Sequence, residues 1–180
     1  MNKLTILAIV ALSVLSIVKA NTVEGATPYV DGSKPFLAIE DVNRQAEAWG
    51  MCAATYDFAA KIFSEEQPAR SQQLSDLANG AEVAVTMAIV SDGLDPEISQ
   101  DRFNALWSMA KLSGTEIPKT SMTMLTAEAE SYADKNTKLV FLENLSATLE
   151  ICFKNLEGQQ VLIDTWRELA KSGLLQVPRE

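Results

Sequence analysis

Apolar residues recur every three or four positions along most of the chain, which is the spacing of one face of an α-helix. The clearest series begins at Phe36 and ends near Glu65–Glu66. Its apolar or small members are Ile39, Val42, Ala46, Trp49, Ala53, Tyr56, Ala60 and Phe63. The spacing predicts one long amphipathic helix.

Turn-forming residues divide the next stretch into two further helices. A second helix is predicted from Pro68 to Asp92–Gly93, since proline is tolerated in a first helical turn and glycine commonly ends a helix. A third is indicated by Asp95-Pro96-Glu97, which combines a side-chain cap, a proline and an acid, and it is expected to stop at Gly114. The second helix should bury Leu74, Leu77, Ala81, Ala84, Val85 and Ala88.

The C-terminal part of the chain predicts three more helical segments. Pro118 marks the start of a fourth, which is interrupted at Asp134–Asn136. A fifth places Cys152 on its apolar stripe and breaks at Glu157–Gly158. The last ends at Lys171-Ser172-Gly173, where a cation and a glycine suit a helix C-terminus.

These patterns predict an all-α protein. No run of alternating β-branched and polar residues bounded by turn dipeptides is present, and no internal repeat stands out. We therefore expect a single-domain bundle of about five to six helices over residues 36–175. Glycines and prolines within residues 21–35 favour an extended or flexible lead-in.

The first twenty residues have the layout of a cleavable signal peptide. A positive start at Lys3 precedes an apolar run from Leu4 to Val18, and small residues at Val18 and Ala20 suit a signal peptidase. The run is shorter than the roughly twenty residues that a membrane-spanning helix needs. We expect a mature chain that starts near Asn21, in the periplasm or secreted, with an uncleaved anchor as the alternative.

Charge narrows the classes of partner. The chain has a formal net charge of −9, and loss of Lys3 and Lys19 with the leader leaves 13 basic and 24 acidic residues, or −11. A surface of this sign repels phosphate backbones and anionic lipid headgroups. We therefore expect no nucleic-acid partner and no stable membrane insertion after cleavage, although the charge also serves simply to keep a small domain soluble.

Cys52 and Cys152 are the two cysteines of the chain. An even number in an exported protein predicts a structural disulfide, and the spacing excludes a CxxC redox motif. The alternative is a pair of buried thiols that pack as small apolar groups.

The chain contains no histidine. Without imidazole, Ser-His-Asp and Cys-His catalysis, histidine-bearing zinc sites and the Glu-x-x-His sites of di-iron bundles cannot be built. The acids Asp92, Asp95 and Glu97 lie around Gly93, but their order is not that of an EF-hand, and turn and cap roles account for them. We predict no catalytic group, no metal site and no cofactor.

Small residues at four-residue spacing occur in the first two helices. The first has Ala46, Gly50 and Ala54, and the second has Gly80, Ala84 and Ala88. Because a glycine inside a helix costs roughly 1 kcal/mol relative to alanine, we expect an antiparallel hairpin in which these small faces meet at close range. The alternative is that each glycine only permits a bend.

Two further sets of residues are candidate sites. Glu82 stands between Ala81 and Val83, where burial would raise its pKa, although a position at the edge of the stripe would let it reach solvent. Asp57 and Glu150, near the cysteines, are expected to face solvent. Aromatic residues at core spacing would either pack in the core or line a ligand pocket: Trp49, Tyr56, Trp107, Tyr132 and Trp166.

Three functions remain open on these grounds. The first is an exported, non-enzymatic binding protein that contacts a protein partner, of an immunity or adaptor kind. In layout alone, with no shared motif, the chain resembles periplasmic immunity proteins, which neutralise toxins delivered by neighbouring bacteria. The second is a carrier of a small apolar ligand in the aromatic pocket. The third, which has least support, is a hydrolase that uses carboxylates alone.

Overall fold

The computed structural model describes residues 26–95, 97–131 and 135–175 of the 180-residue chain. A 3-10 turn (Phe36–Ala38) leads into five helices: α1 (Val42–Phe63), α2 (Pro68–Gly93), α3 (Gln100–Ser131), α4 (Lys135–Lys154) and α5 (Leu156–Ser172). The described ranges contain no strand, so the predicted all-α fold is confirmed, with five helices in one compact domain. The predicted leader, residues 1–20, lies outside them.

Helix α1 is the centre of the bundle. Every residue from Ala48 to Tyr56 is buried, which is more than one full turn and therefore every side of the helix. The sequence predicted a single apolar stripe, but alanine and glycine on the remaining faces let other helices approach from several directions. Helices α2, α3 and α4 and the 3-10 turn all pack against α1.

Helices α1 and α2 form a hairpin joined by residues 64–67. The carboxylate of Asp41 caps α1 by accepting hydrogen bonds from the backbone N–H groups of Asn43 and Arg44 at 2.9 and 3.2 Å. Helix α2 starts at Pro68 as predicted. Gly93 is the last residue of α2, but it does not have the positive φ typical of a glycine cap. Among the described glycines, Gly173 has that conformation.

The prediction of separate third and fourth helices was wrong, because both lie in one continuous helix, α3. It begins at Gln100 after Ser99, whose hydroxyl accepts from the N–H of Arg102, while Asp95 only closes the preceding turn. It then continues through Gly114 and Pro118, both of which are buried. Burial against neighbouring helices offsets the backbone hydrogen bond that proline lacks.

The break between α4 and α5 falls at Asn155, before the predicted Glu157–Gly158. The Asn155 side chain donates to the carbonyl of Ile151 and accepts from the N–H of Phe36, so it satisfies backbone groups at the junction. Gly158 lies inside α5, where Leu37 and Trp49 pack closely. The C-terminus of α5 at Gly173, with φ 81°, is as predicted.

Residues 26–35 lie beside α4. Val30 is buried, and the backbone of this lead-in donates hydrogen bonds to side chains of α4. The part that the structure describes is therefore tied to the bundle. Among the described helices, none is both long enough and apolar enough to cross a membrane.

Candidate functional site

Cys52 of α1 and Cys152 of α4 form the predicted disulfide. Their sulfur atoms are 1.97 Å apart and their Cα atoms 5.6 Å apart. Both residues are buried, at 0 and 1% exposure. The bond therefore lies in the core as a link between helices, and solvent does not reach it in the folded state.

Two aromatic side chains of α1 flank the disulfide, one turn before it and one turn after it. Phe36 packs edge-on against Trp49 with ring centroids 4.9 Å apart. Phe153 packs against Tyr56 at 5.5 Å. Both aromatic residues of α1 are fully buried, and burial raises the pKa of the Tyr56 phenol far above its usual value. This region is a packed core.

Two other aromatic residues of the predicted pocket, Trp107 and Trp166, lie on α3 and α5. Trp107 stacks on Phe103 within α3, with ring centroids 6.4 Å apart. Trp166 lies on α5 and is 38% exposed. Tyr132 lies outside the described residues. The described aromatic residues therefore lie on three helices, with Trp49 and Tyr56 on α1, Trp107 on α3 and Trp166 on α5.

The two glycines of the predicted hairpin contact do not face one another. A Cβ on Gly50 would meet Ile117 of α3, and a Cβ on Gly80 would meet the side-chain amide of Gln159 on α5. The expected close packing is therefore present, but with other partners. Because small residues lie on several faces of the central helix α1, different neighbouring helices can pack closely against it at different positions. The alanines of the two predicted faces are all buried: Ala46, Ala54, Ala84 and Ala88.

Gly114 supplies a third close approach, which the sequence analysis missed. A Cβ at this position would meet the hydroxyl of Thr86, and the carbonyl oxygen of Glu82 would lie only 3.4 Å from it. Helix α3 therefore rests directly on α2 here. The available signal was a glycine four residues before Pro118 in an apolar series, but we interpreted both as helix ends.

The acids named as candidate sites lie on three helices, with Asp57 on α1, Glu82 on α2 and Glu150 on α4. Glu82 is exposed, although partial burial and, secondarily, the negative charge of Asp57 raise the pKa of its carboxyl. Asp57 pairs with Lys61 at 3.0 Å, and Glu150 pairs with Lys154 at 2.7 Å. Within the described ranges, no three acidic or cysteine side chains are grouped so that they could hold a metal ion.

A shallow pocket of about 220 Å³ lies between the lead-in and the end of α4. It is lined by Gly32, Ser33, Lys34, Pro35, Ile151, Lys154 and Asn155. No aromatic residue contributes to it, so it differs in place and in lining from the pocket expected from the sequence.

A group of exposed apolar residues lies on α1, near its C-terminus, and on two helices that contact α1. We call them the apolar end surface: Ile62, Met124, Leu139, Val140 and Leu142, which are 40 to 55% exposed. They come from the C-terminal parts of α1 and α3 and the N-terminal part of α4. The ammonium group of Lys61 lies 4.0 Å from the sulfur of Met122, and the rings of Phe58 and Phe141 are 5.5 Å apart. These contacts bring the three helices together.

Charged residues border the apolar end surface. Glu65 and Glu66 follow the end of α1, Glu130 lies in the last turn of α3, and Lys138 lies in the first turn of α4. All four are exposed. Large exposed apolar residues with a charged border are typical of a protein-binding surface.

Comparison with protein-family models, with curated proteins and with solved structures finds no match to this chain.

Proposed function

We propose that this protein is an exported, non-enzymatic binding protein, of an immunity or adaptor kind, that holds a protein partner on its apolar end surface. The observation that carries the proposal is the exposure of Ile62, Met124, Leu139, Val140 and Leu142 on three adjoining helices. Water is a poor solvent for such side chains, and covering them with a partner is favourable.

Charge indicates the kind of partner. A mature chain of formal charge −11 attracts basic proteins and repels acidic ones. Glu65, Glu66 and Glu130 place part of that charge beside the apolar residues. The partner we expect is a basic protein with an apolar centre to its contact face.

Export agrees with the chemistry of the core. The Cys52–Cys152 disulfide is of the kind that persists in oxidising compartments and is rare in reducing ones. The predicted leader supplies the route out of the cytoplasm.

The test is affinity capture from the envelope fraction with the immobilised mature chain. The wild type should retain one basic protein in stoichiometric amount. The double variant Ile62→Ser with Leu139→Ser should lose it, because these substitutions remove exposed apolar area from the contact. The matched control is Met109→Ser with Leu112→Ser, which alters two apolar residues of α3 that are at least as exposed as Ile62 and Leu139.

Stability has to be measured beside capture. Substitutions at exposed positions should change the free energy of unfolding by less than about 0.5 kcal/mol, so both double variants should unfold like the wild type. Equal loss of the partner in both, or retention in both, would show that the apolar end surface is not the binding site.

A further inference from the structure

The outward side of α3 carries a strip of exposed apolar residues. Met109 and Leu112 are 55 and 64% exposed, and no other large apolar side chain in the described ranges is more exposed than Leu112. Ala105, one turn before Met109, is also exposed. Spacings of three and four residues place these side chains on one face of the helix, and we call the three the α3 strip. Buried residues such as Ala110 and Gly114 hold the opposite face against the bundle.

One charged residue continues the α3 strip at each end. Arg102 and Glu116 lie seven residues before and seven residues after Met109, and both are exposed. Seven residues are close to two helical turns, so each lies on nearly the same face as Met109 and about 10 Å from it along the helix. Within the described structure, Arg102 has no acid at ion-pairing distance. Its guanidinium is therefore available to a partner.

A second charged residue lies beyond each of these. Asp101 precedes Arg102, and Lys119 follows Glu116, with 3.3 Å between the ammonium group and the carboxylate of that pair. Outward from Met109, the N-terminal end of the strip thus carries a base and then an acid, while the C-terminal end carries an acid and then a base. Each end is complementary in charge to the opposite end of the same strip.

This charge pattern determines how two copies of the strip can meet. When two α3 helices lie antiparallel and cross at Met109, Arg102 of each copy is level with Glu116 of the other, because both are seven residues from the crossing point. Asp101 is then within about 3 Å of the level of Lys119 of the other copy. A parallel arrangement would instead place like charges together. The charges therefore favour the antiparallel arrangement.

Repulsion does not prevent this contact. Lys111 is the one charged residue between the two ends, and it lies about 100° round the helix from its neighbour Leu112, at the side of the strip. The formal charge of −11 on each mature chain acts over longer distances, where physiological salt screens charges that are more than about 8 Å apart. The ion pairs at the ends of the strip are formed at contact distance, so salt weakens them less.

We propose that the α3 strip is the contact between two copies of this chain, which form a two-fold symmetric dimer with their α3 helices antiparallel. A two-fold contact buries the same patch on both copies. Covering Met109 and Leu112 makes association favourable, and the charged ends set the direction of the helices. One helix face buries less than the roughly 1,200 Å² of a standard interface, so the dimer is weak and reversible. The apolar end surface takes no part in this contact.

The experiment is sedimentation equilibrium of the complete mature chain at physiological salt, from micromolar to millimolar protein. The wild type should show a monomer–dimer equilibrium. Met109→Ser with Leu112→Ser should weaken association at least about tenfold, because the apolar centre of the contact is lost. Ile62→Ser with Leu139→Ser, on the apolar end surface, is the matched control and should leave association unchanged. The two surfaces are thereby tested separately.

Charge reversal tests the direction of the helices. Arg102→Glu places an acid opposite Glu116 of the second copy, and Glu116→Arg places a base opposite Arg102, so each alone should weaken association about tenfold. The two substitutions together should restore it to within about threefold of the wild type, since the pairs form again with the charges exchanged. The single variants change the net charge in opposite directions. An effect of net charge alone would therefore weaken one dimer and strengthen the other.

Cross-linking locates the two-fold axis. The native cysteines are joined and buried, so a cysteine introduced on α3 is the free thiol of the chain. Met109→Cys should form a disulfide between copies under mild oxidation. Thr123→Cys, fourteen residues further along the same face, should not, because antiparallel helices hold its two copies about 42 Å apart.

Four outcomes would overturn the proposal. They are a monomer at every concentration, an unchanged dimer in Met109→Ser with Leu112→Ser, opposite effects of the two single charge reversals, and cross-linking through Thr123→Cys. All these substitutions are at exposed positions, so the variants should unfold like the wild type.

Discussion

Gly114 lies where α3 crosses α2, with the hydroxyl of Thr86 in the place that a Cβ would take. At this residue two physical effects have opposite signs. Alanine is favoured over glycine in a helix by roughly 1 kcal/mol, while forcing an extra carbon into a packed contact typically costs about 1–3 kcal/mol. The packing contact explains why a glycine inside a long helix is tolerated.

A double-mutant cycle can separate the two effects. Gly114→Ala alone should lower the free energy of unfolding by up to about 2 kcal/mol, the packing cost less the helix gain. In a Thr86→Ala background the colliding hydroxyl is gone, so the same substitution should raise it by up to about 1 kcal/mol. Urea unfolding of the four proteins measures the coupling. Equal effects in both backgrounds would mean that the two helices do not touch here.

Thr55 and Thr148 are both fully buried in helices, but their hydroxyls differ. Within the described structure Thr55 Oγ1 has no hydrogen-bond partner, whereas the Thr148 hydroxyl donates to Asn144 and accepts from Tyr29. A buried hydroxyl without a partner loses its hydration and gains nothing in return.

Replacing each threonine with valine should therefore give opposite results. Thr55→Val should raise the free energy of unfolding by about 1 kcal/mol, because the hydroxyl that lacks a partner is removed. Thr148→Val should lower it by about 1–3 kcal/mol, because the N–H of Tyr29 loses its acceptor. Thermal and urea unfolding of both variants provide the comparison, and the same sign for both would contradict the assignment.

The free energy of unfolding should depend on pH through the carboxyl group of Glu82. Partial burial and the neighbouring Asp57 raise the pKa of Glu82, so the folded protein binds this proton more tightly than the unfolded chain does. Ionised Glu82 therefore opposes folding at neutral pH, and the penalty disappears as the pH falls below the unfolded value of about 4.3.

Glu82→Gln should accordingly raise the free energy of unfolding at pH 7 and have a diminishing effect as the solution is made acid. The difference between variant and wild type, measured by urea unfolding across this range, isolates Glu82 from the other carboxylates. Asp57→Asn should reduce the benefit at pH 7, since it removes the neighbouring negative charge. A benefit that is constant with pH would show that ionisation is not its cause.

Among the helices, α4 is held in the bundle by one disulfide and a small number of side-chain contacts. The disulfide ties it to α1, and the Phe58–Phe141 and Tyr56–Phe153 contacts lie on either side of that bond along α4. Residues 26–35 of the lead-in contact another part of its surface. A helix held in this way should depend heavily on the covalent bond, which closes a loop of 100 residues in sequence.

Removal of the disulfide by Cys52→Ala with Cys152→Ala should lower the free energy of unfolding by about 2–5 kcal/mol, chiefly by restoring freedom to the unfolded chain. Urea unfolding of the double variant measures the loss. Treatment of the wild type with dithiothreitol under native conditions should be slow, because both sulfurs are buried. Fast reduction of the folded protein would contradict the buried position of the bond.

Element boundaries show where local sequence is informative. Pro68 and Gly173 act as expected, since a proline in a first turn and a glycine with positive φ satisfy local backbone requirements. Gly114 and Pro118 do not end or begin a helix as expected. Contacts of α3 with α1 and α2 outweigh the local preference of these residues for helix ends. Asn155 ends α4 through side-chain hydrogen bonds, one of them to a residue 119 positions away, which no local pattern contains.

For the whole molecule, the net negative charge follows from the composition, and export is a prediction from the first twenty residues. We expect the envelope protein to have an intact mass that begins at Asn21, because the short apolar run and Ala20 fit a signal peptidase. Mass spectrometry of the protein from its native envelope fraction measures this directly. Recovery of a chain that still carries Lys3 and Lys19 would instead establish an uncleaved anchor.

The sequence by itself determined the helical class and the exclusion of imidazole chemistry, because both follow from residue types and short-range spacing. It predicted about five to six helices and a disulfide, while the structure joined two of the predicted helices and placed Cys52 beside Cys152. Only the tertiary structure decided which residues Gly50, Gly80 and Gly114 contact, that α3 is continuous and that residues 26–36 lie beside α4. These features depend on contacts between residues far apart in the chain. Helical periodicity tells which face of a helix is buried, but not which neighbour covers it.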